Sequence, residues 1–561
     1  MRRFSFSAAL IGLAGLPLAA VAATPAATTT KPALSTNAVP VPKSETNGGP
    51  AAASIPLAPA VLGPRPRLNP KVEPSAATKL SPGISDLSAP NSLALPTKPE
   101  MVRIQQLRPL GLTEILNLAE VNNPNLKAIG SQVDQAKSNL RAQLAQWYPT
   151  LSLSSQALPS YAVGQDYANG SGISDINRSG FDAALQATYA LINPRRVPLV
   201  AAARDKYEKA KFQYVVSLRD LRLQAAKAYF DLQQADDQVR IGQESVRASL
   251  VSLRDSKARF QAGVATKLEV LEAETQLARD QQLLANGLAA QSIARRALAA
   301  LLDLPFSVTP TAKDTARVMG VWNASLSESI VSAFSFREEL DQAILDISIA
   351  NSQANAAIGQ VQPFLNIFTA FSYGQDTGSS SSLTGVTTSG YDYNARFGVN
   401  LSWSIFDGGA AAAQSREAKQ LAQQNRYQFS QRRDAIRQEV ETSFYELEKN
   451  NRDIITTSRE VISAREALRL ARLRFQAGVT TQREVVDNQR DLTNAEVRYS
   501  NSVTGYNKSL VELSRRTGLN QVMACSAPSL SAVKPAGASD VPVEPTPLIP
   551  GCRAAASGAV F

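Results

Sequence analysis

The sequence is written twice. Phe260-Gln261-Ala262-Gly263-Val264 recurs as Phe475-Gln476-Ala477-Gly478-Val479, an offset of 215 residues. The register holds on both sides: Phe230-Asp231-Leu232 matches Tyr445-Glu446-Leu447, and Leu304 matches Leu519. A repeat of that length predicts one structural unit made twice. Each unit reads as a very long helical hairpin with a glycine at its turn.

The helices set the scale. From Ala410 to Ala477 there is neither Gly nor Pro; at 1.5 Å per residue this is about 100 Å of helix. No single-domain core accommodates such a helix, so it needs partner helices. Val440, Leu447, Ile454, Val461, Leu468 and Phe475 recur every seven residues, as do Ala225, Leu232, Val239, Val246, Leu253 and Phe260. That spacing lays helices side by side with a slight left-handed twist. The opposite faces are polar, which suits the wall of a water-filled tube or a plain rod. The expected long helices are 194–262 with return 264–302, and 410–477 with return 479–516.

Each unit also carries a shorter helical piece and two strands. The helical pieces fall at 112–147, interrupted near Asn122-Asn123-Pro124, and at 324–360. Strands are expected at 149–160 and 181–192, then at 363–374 and 391–406, around polar loops at 161–180 and 375–390. Residues 303–323 read as irregular. In 391–406, Tyr391, Tyr393, Ala395, Phe397, Val399, Leu401, Trp403 and Ile405 alternate with polar or small residues. Such alternation fits a wall between lipid and a watery lumen, or an extracellular β-rich cap. Four strands cannot close a barrel, and a lipid-exposed edge is forbidden, so the membrane reading needs several copies of the chain.

Composition excludes much chemistry. There is no His, and Cys525 and Cys552 are the only cysteines, so imidazole bases, His-dependent triads and the common zinc patterns are out. No convergent cluster of titratable groups suggests an enzyme, and no cofactor or metal site is expected. Residues 1–22, with Met1-Arg2-Arg3, an apolar run and Ala20-Val21-Ala22, read as a cleavable export signal rather than an anchor. Residues 23–100 read as a Pro/Ala/Ser-rich flexible arm without a core, and 522–561 as a flexible Pro-rich tail whose two cysteines can pair in an exported protein. The two units then span 101–319 and 320–521. The formal charge is +10, but half of it lies in the leader and arm, and the body between 101 and 521 carries only about +5. No basic stripe with interleaved aromatics points to nucleic acid.

The doubled strand–strand–long helix–turn–helix unit, the two Phe-x-x-Gly-x turns and Ile405-Phe406-Asp407-Gly408-Gly409 at the entry to a long helix resemble the outer-membrane efflux and secretion channel family, the TolC-like proteins. The resemblance covers about 112–519. It implies an α+β membrane channel: a homotrimer with a twelve-stranded β-barrel in the outer membrane, continued by a long α-helical coiled-coil barrel across the periplasm. It implies passive conduction in a tripartite efflux or type I secretion system, from an inner-membrane transporter of the RND, ABC or a similar class, through a periplasmic adaptor. A periplasmic coiled-coil scaffold without a pore is the alternative.

The resemblance also assigns residues. Ala262, Gly263, Val264, Ala477, Gly478 and Val479 would form the tip on which the adaptor docks. Glu484 and Asp487, three apart on one helical face, would line the closed end as a ring of negative charge; Glu269 and Glu272 hold the matching places in the first unit. A solvated helix face carries such pairs too. Phe475 matches an aromatic that holds the tip shut, and Glu269 matches the acidic partner of a tyrosine that is common there.

Overall fold

A computed structural model describes residues 75–155, 158–168, 172–380, 388–518 and 522–524. They fall within one of the chain's two units, Ser54–Phe561. The export signal, the arm before residue 75, and Cys525 and Cys552 lie outside the described residues.

The elements run twice through one order. The first repeat has β1 (Gln106–Leu110), α1 (Leu112–Asn122), α2 (Pro124–Leu144), β2 (Thr150–Ser154), β3 (Ser160–Ala168), β4 (Gly172–Ile192), α3 (Arg196–Gln261), α4 (Lys267–Leu301) and β5 (Val308–Ala312). The second has β6 (Gly320–Trp322), α5 (Leu326–Phe336), α6 (Glu338–Ile358), β7 (Phe364–Ser380), β8 (Thr388–Ser402), α7 (Ala410–Gln476), α8 (Gln482–Thr517) and β9 (Val522–Ala524).

The main sheet has the order β2–β4–β7–β8, with β3 following β2 along the same flank of β4. Its register keeps like with like. Leu153, Leu185, Phe371 and Ala395 stand in one row; Leu151, Ala187, Thr369 and Phe397 in the next on that face. The other face carries Ser152, Gln186, Ala370 and Arg396 in register. On β8 the apolar residues Tyr391, Tyr393, Phe397, Val399 and Leu401 are 58–78% exposed within the chain. A sheet in water would bury that face; a membrane wall turns it to lipid. Among the described residues no helix is long and apolar enough to cross a membrane.

The sheet is longer than the sequence pattern implies. Residues 161–180 and 375–390 read as loops, yet Ser160↔Gly180 to Ala168↔Gly172 and Gln375↔Tyr391 to Gly378↔Thr388 are ladder pairs. Backbone hydrogen bonds carry the hairpins onward where no apolar face advertises a strand. The "irregular" stretch 303–323 holds β5 and β6, which pair with β1 and β9 from distant parts of the chain.

The helices lie in lanes. α3 and α7 run from the sheet to the hairpin turns. Towards the turns α4 flanks α3 and α8 fills the space between α3 and α7; towards the sheet α2 and α6 take those places. One lane therefore reads α4 then α2, joined where Asn123 Nδ2 donates to Leu301 O at 2.9 Å. The other reads α8 then α6. The seven-residue seam of α7 is what α8 covers: Val440, Leu447, Ile454, Val461 and Leu468 are buried with Ala495, Tyr499, Val503, Tyr506 and Leu510. In the first hairpin the helices approach closely at Gly242, where a Cβ would meet the Leu284 Cα at 2.9 Å.

Two expectations are corrected. The helical piece 324–360 breaks at Arg337, whose backbone (φ −87°, ψ 119°) leaves the helix. The matching Asn123 break is announced by Pro124, whereas Phe336-Arg337-Glu338 carries no such signal. Residues 75–100, read as part of a coreless arm, place Ile84 and Leu87 at 1% exposure against Leu110, Leu118 and Leu218. They are held there by Ala77 N to Glu120 Oε2 (2.7 Å), Ser81 N to Asn117 Oδ1 (3.0 Å) and Asn122 Nδ2 to Leu87 O (2.8 Å). Two apolar side chains in a polar stretch suffice when helices already supply the rest of the core.

Candidate functional site at the hairpin tips

Both turns are built alike. At the end of α3, Val264 N donates to Arg259 O and Gly263 N to Phe260 O, both at 3.0 Å, and Gly263 sits at φ 73°. At the end of α7, Val479 N donates to Arg474 O (2.9 Å) and Gly478 N to Phe475 O (3.1 Å), with Gly478 at φ 74°. This paired bonding closes the last carbonyls of a helix through a left-handed residue. Open space surrounds both glycines, so it is the backbone angle and not crowding that demands them. Val264 and Val479 are left 66% and 70% exposed on the turns.

The helices that follow start differently. Thr266 caps α4 through a reciprocal pair, with Glu269 N to Thr266 Oγ1 at 3.4 Å and Thr266 N to Glu269 Oε1 at 3.3 Å. Glu269 is thus engaged at the start of its own helix. At α8, Thr481 gives no side-chain cap. The Glu484 carboxylate instead accepts from Arg474 (2.8 Å) and from the Thr480 hydroxyl. Asp487 lies 3.3 Å from Arg490 and 3.9 Å from Arg483.

The two phenylalanines also diverge. Phe260 is 46% exposed, while Phe475 packs on Leu468, Ala471 and Val485. The Arg259 guanidinium lies over the Phe475 ring, 4.4 Å from its centre. This joins the first hairpin to the second. Gln482, 1% exposed, donates to the Ser252 hydroxyl, and Ser245 shares a 3.2 Å hydrogen bond with Thr493. Beside these contacts a cavity of about 650 Å³ opens between the hairpins. Among the described residues no group of three His, Cys, Asp or Glu side chains is placed to hold a metal.

The residues singled out from sequence therefore do gather at one end, in two adjacent turns. Arg259, Arg474, Ser252 and Gln482 are the ones that sequence reading missed. The arginines had a signal: they hold the same place in the two repeats, each just before its phenylalanine.

A doubled unit of strands and two-helix hairpins, with an apolar sheet face left bare, is now in place. The pattern that defines the family "Outer membrane efflux protein" matches residues 115–303 and 330–519, one stretch in each repeat. The chain belongs to the outer membrane efflux protein family. TolC of Vibrio cholerae is 23% identical over 313 residues, covering 55% of this chain and 68% of TolC. Among solved structures, the CmeC outer-membrane channel of Campylobacter jejuni superposes with a TM-score of 0.61 at 15% identity, over 73% of this chain and 86% of CmeC. CusC gives 0.60 at 19% identity, over 77% and 99%. The protein is an outer-membrane efflux channel of the TolC type and not an enzyme. It resides in the outer membrane of a Gram-negative cell, with its helices extending into the periplasm. That removes the scaffold alternative.

Proposed function

We propose that three copies of this chain close into one export duct whose periplasmic end is gated by the hairpin tips. The observation that carries the reading is a pair of matching open edges. In the sheet, β2 and β3 form one free edge and β8 the other. In the helical layer, α2 and α4 form the first edge and α7 the second. Exposed Leu271, Leu288 and Ile293 on α4, and Ile455 and Ile462 on α7, await partners. Lipid tolerates no open strand edge, so β8 of one copy must meet β2–β3 of the next. Three copies give a twelve-stranded barrel.

In this reading Ala262, Gly263, Val264, Ala477, Gly478 and Val479 meet a periplasmic adaptor, with the two exposed valines as its apolar contacts. The adaptor hands over substrate from an inner-membrane transporter of the RND, ABC or a similar class. Phe475 with Arg259, and Glu484 and Asp487 on α8, form the closure; Glu269 supports the neighbouring turn. Efflux and type I secretion both need such a duct. The direct test is mass measurement of the detergent-purified protein with planar-bilayer recording: a trimer with discrete conductance steps is expected, and a monomer without them overturns the reading.

A further inference from the structure

We propose that the tip carboxylates are neutralised in place by arginines of their own chain, so that the constriction carries no net negative ring and passes anions as readily as cations. This rests on the reading that the tips form the constriction. An acidic residue makes a cation-selective ring only where its charge is left uncompensated. Here Glu484 is paired with Arg474 at 2.8 Å, and Asp487 stands between Arg490 at 3.3 Å and Arg483 at 3.9 Å. Asp491 lies 3.9 Å from Arg490 as well. From Arg474 to Asp491 the chain carries three arginines and three carboxylates; from Arg254 to Glu274 it carries four bases and four acids. In the first hairpin Lys257 pairs with Glu274 at 3.0 Å.

The placement of Asp487 makes this matter. Asp487, Asn494, Asn501 and Lys508 recur every seven residues on α8. Tyr506 and Asn507, on the opposite side of that helix, bond the strand-bearing segment at Gly320, Met319 and Arg317. The Asp487 row therefore faces away from that layer, with Asn501 meeting Gln234 at 2.7 Å and Lys508 meeting Asp231. Asp487 and Lys508 are the charged members of this row, and each stands beside an opposite charge of its own chain, at distances shorter than the screening length at physiological salt. Arg474, Arg483 and Arg490 are then specificity-determining residues for small ions and charged cargo.

The test is the reversal potential of the full-length channel in planar bilayers under a KCl gradient. The wild type should show a potassium-to-chloride permeability ratio near unity. Replacing Arg474→Gln, Arg483→Gln and Arg490→Gln together should move it severalfold towards potassium; Glu484→Gln with Asp487→Asn should move it towards chloride. A strongly cation-selective wild type whose selectivity vanishes in the carboxylate variant overturns the neutralisation and leaves the tip as the constriction. No change in either variant overturns both this inference and the placement of the constriction.

Discussion

The seam between the two repeats is held differently at its two ends. Towards the sheet it is a buried ionic knot. Arg219 reaches across to Glu338 at 2.6 Å and Arg515 to Asp220 at 2.7 Å; behind them, within the second repeat, fully buried Arg337 donates to Glu339 (2.8 Å) and Glu439 (2.6 Å), and Arg515 also holds Glu339 (2.9 Å). Towards the tip it is Ser245 with Thr493, Ser252 with Gln482, and one arginine laid over Phe475. Breaking a buried ion pair strands a charge where water cannot reach it; breaking a neutral hydrogen bond costs less, about 1 kcal/mol, even between side chains as buried as Ser245, Thr493 and Gln482. On the proposed reading, a helical wall built this way is held at the knot and parts at its tip.

The largest effect should come from the knot. Arg337→Ala removes the buried guanidinium that joins Glu339 to Glu439, leaving Glu339 to Arg515 and Glu439 to Arg516, and should cost about 3 kcal/mol, read as a lower melting temperature of the detergent-purified protein. A variant that melts like the wild type would erase the contrast between the two ends.

Acid should attack the same place. Burial pushes the Glu339 carboxyl up, but hydrogen bonds and charge from Arg337 and Arg515 outweigh it and hold the group well below the usual carboxylate range. Glu439 and Glu512 are lowered in the same way, each against the upward push of burial. Groups depressed in the folded state add stability above their ordinary value near 4.5 and lose it as pH falls through the folded value. Glu338 works the other way, because burial raises it despite Arg219. With three carboxylates against one, the melting temperature should fall as pH drops below about 4.5. The Arg337→Ala variant should show a shallower fall than the wild type.

At the tip the expected costs are smaller. Gly478→Ala forces a Cβ into the left-handed region and should cost about 1–2 kcal/mol, loosening the turn while the upper seam keeps its melting behaviour. Arg259→Ala removes the guanidinium from the Phe475 ring at about 0.5–1 kcal/mol. Its expected signature is an increase in open-channel time in bilayers with an unchanged melting temperature. A stability loss equal to that of Arg337→Ala would show that the tip is no weaker than the knot.

Much of this architecture is legible in the sequence because it is periodic. The seven-residue seams marked α3 and α7 to within two residues, and the period-two run found β8. What could not be read depends on partners far along the chain. β5 and β6 are strands only because β1 and β9 lie beside them. Ile84 and Leu87 are core only because α1 and α3 receive them. The break at Arg337 is fixed by carboxylates such as Glu439, a hundred residues away. At the tips the glycine turns followed from their repeated motif, and the acidic pair from the family resemblance. Of the arginines that answer those acids, Arg474 is marked by its repeat counterpart Arg259, whereas Arg483 and Arg490 stand opposite Leu268 and Thr275 and carry no repeat signal.

The central claim, that the seam parts at the tip, is tested most directly by a disulfide. Ser252→Cys with Gln482→Cys joins the two hairpins where their side chains already touch, in a background with Cys525 and Cys552 changed to Ser. Single-channel recording before and after reduction gives the answer. The account predicts that the oxidised channel stays shut and that reduction restores opening; equal opening in both states would contradict it.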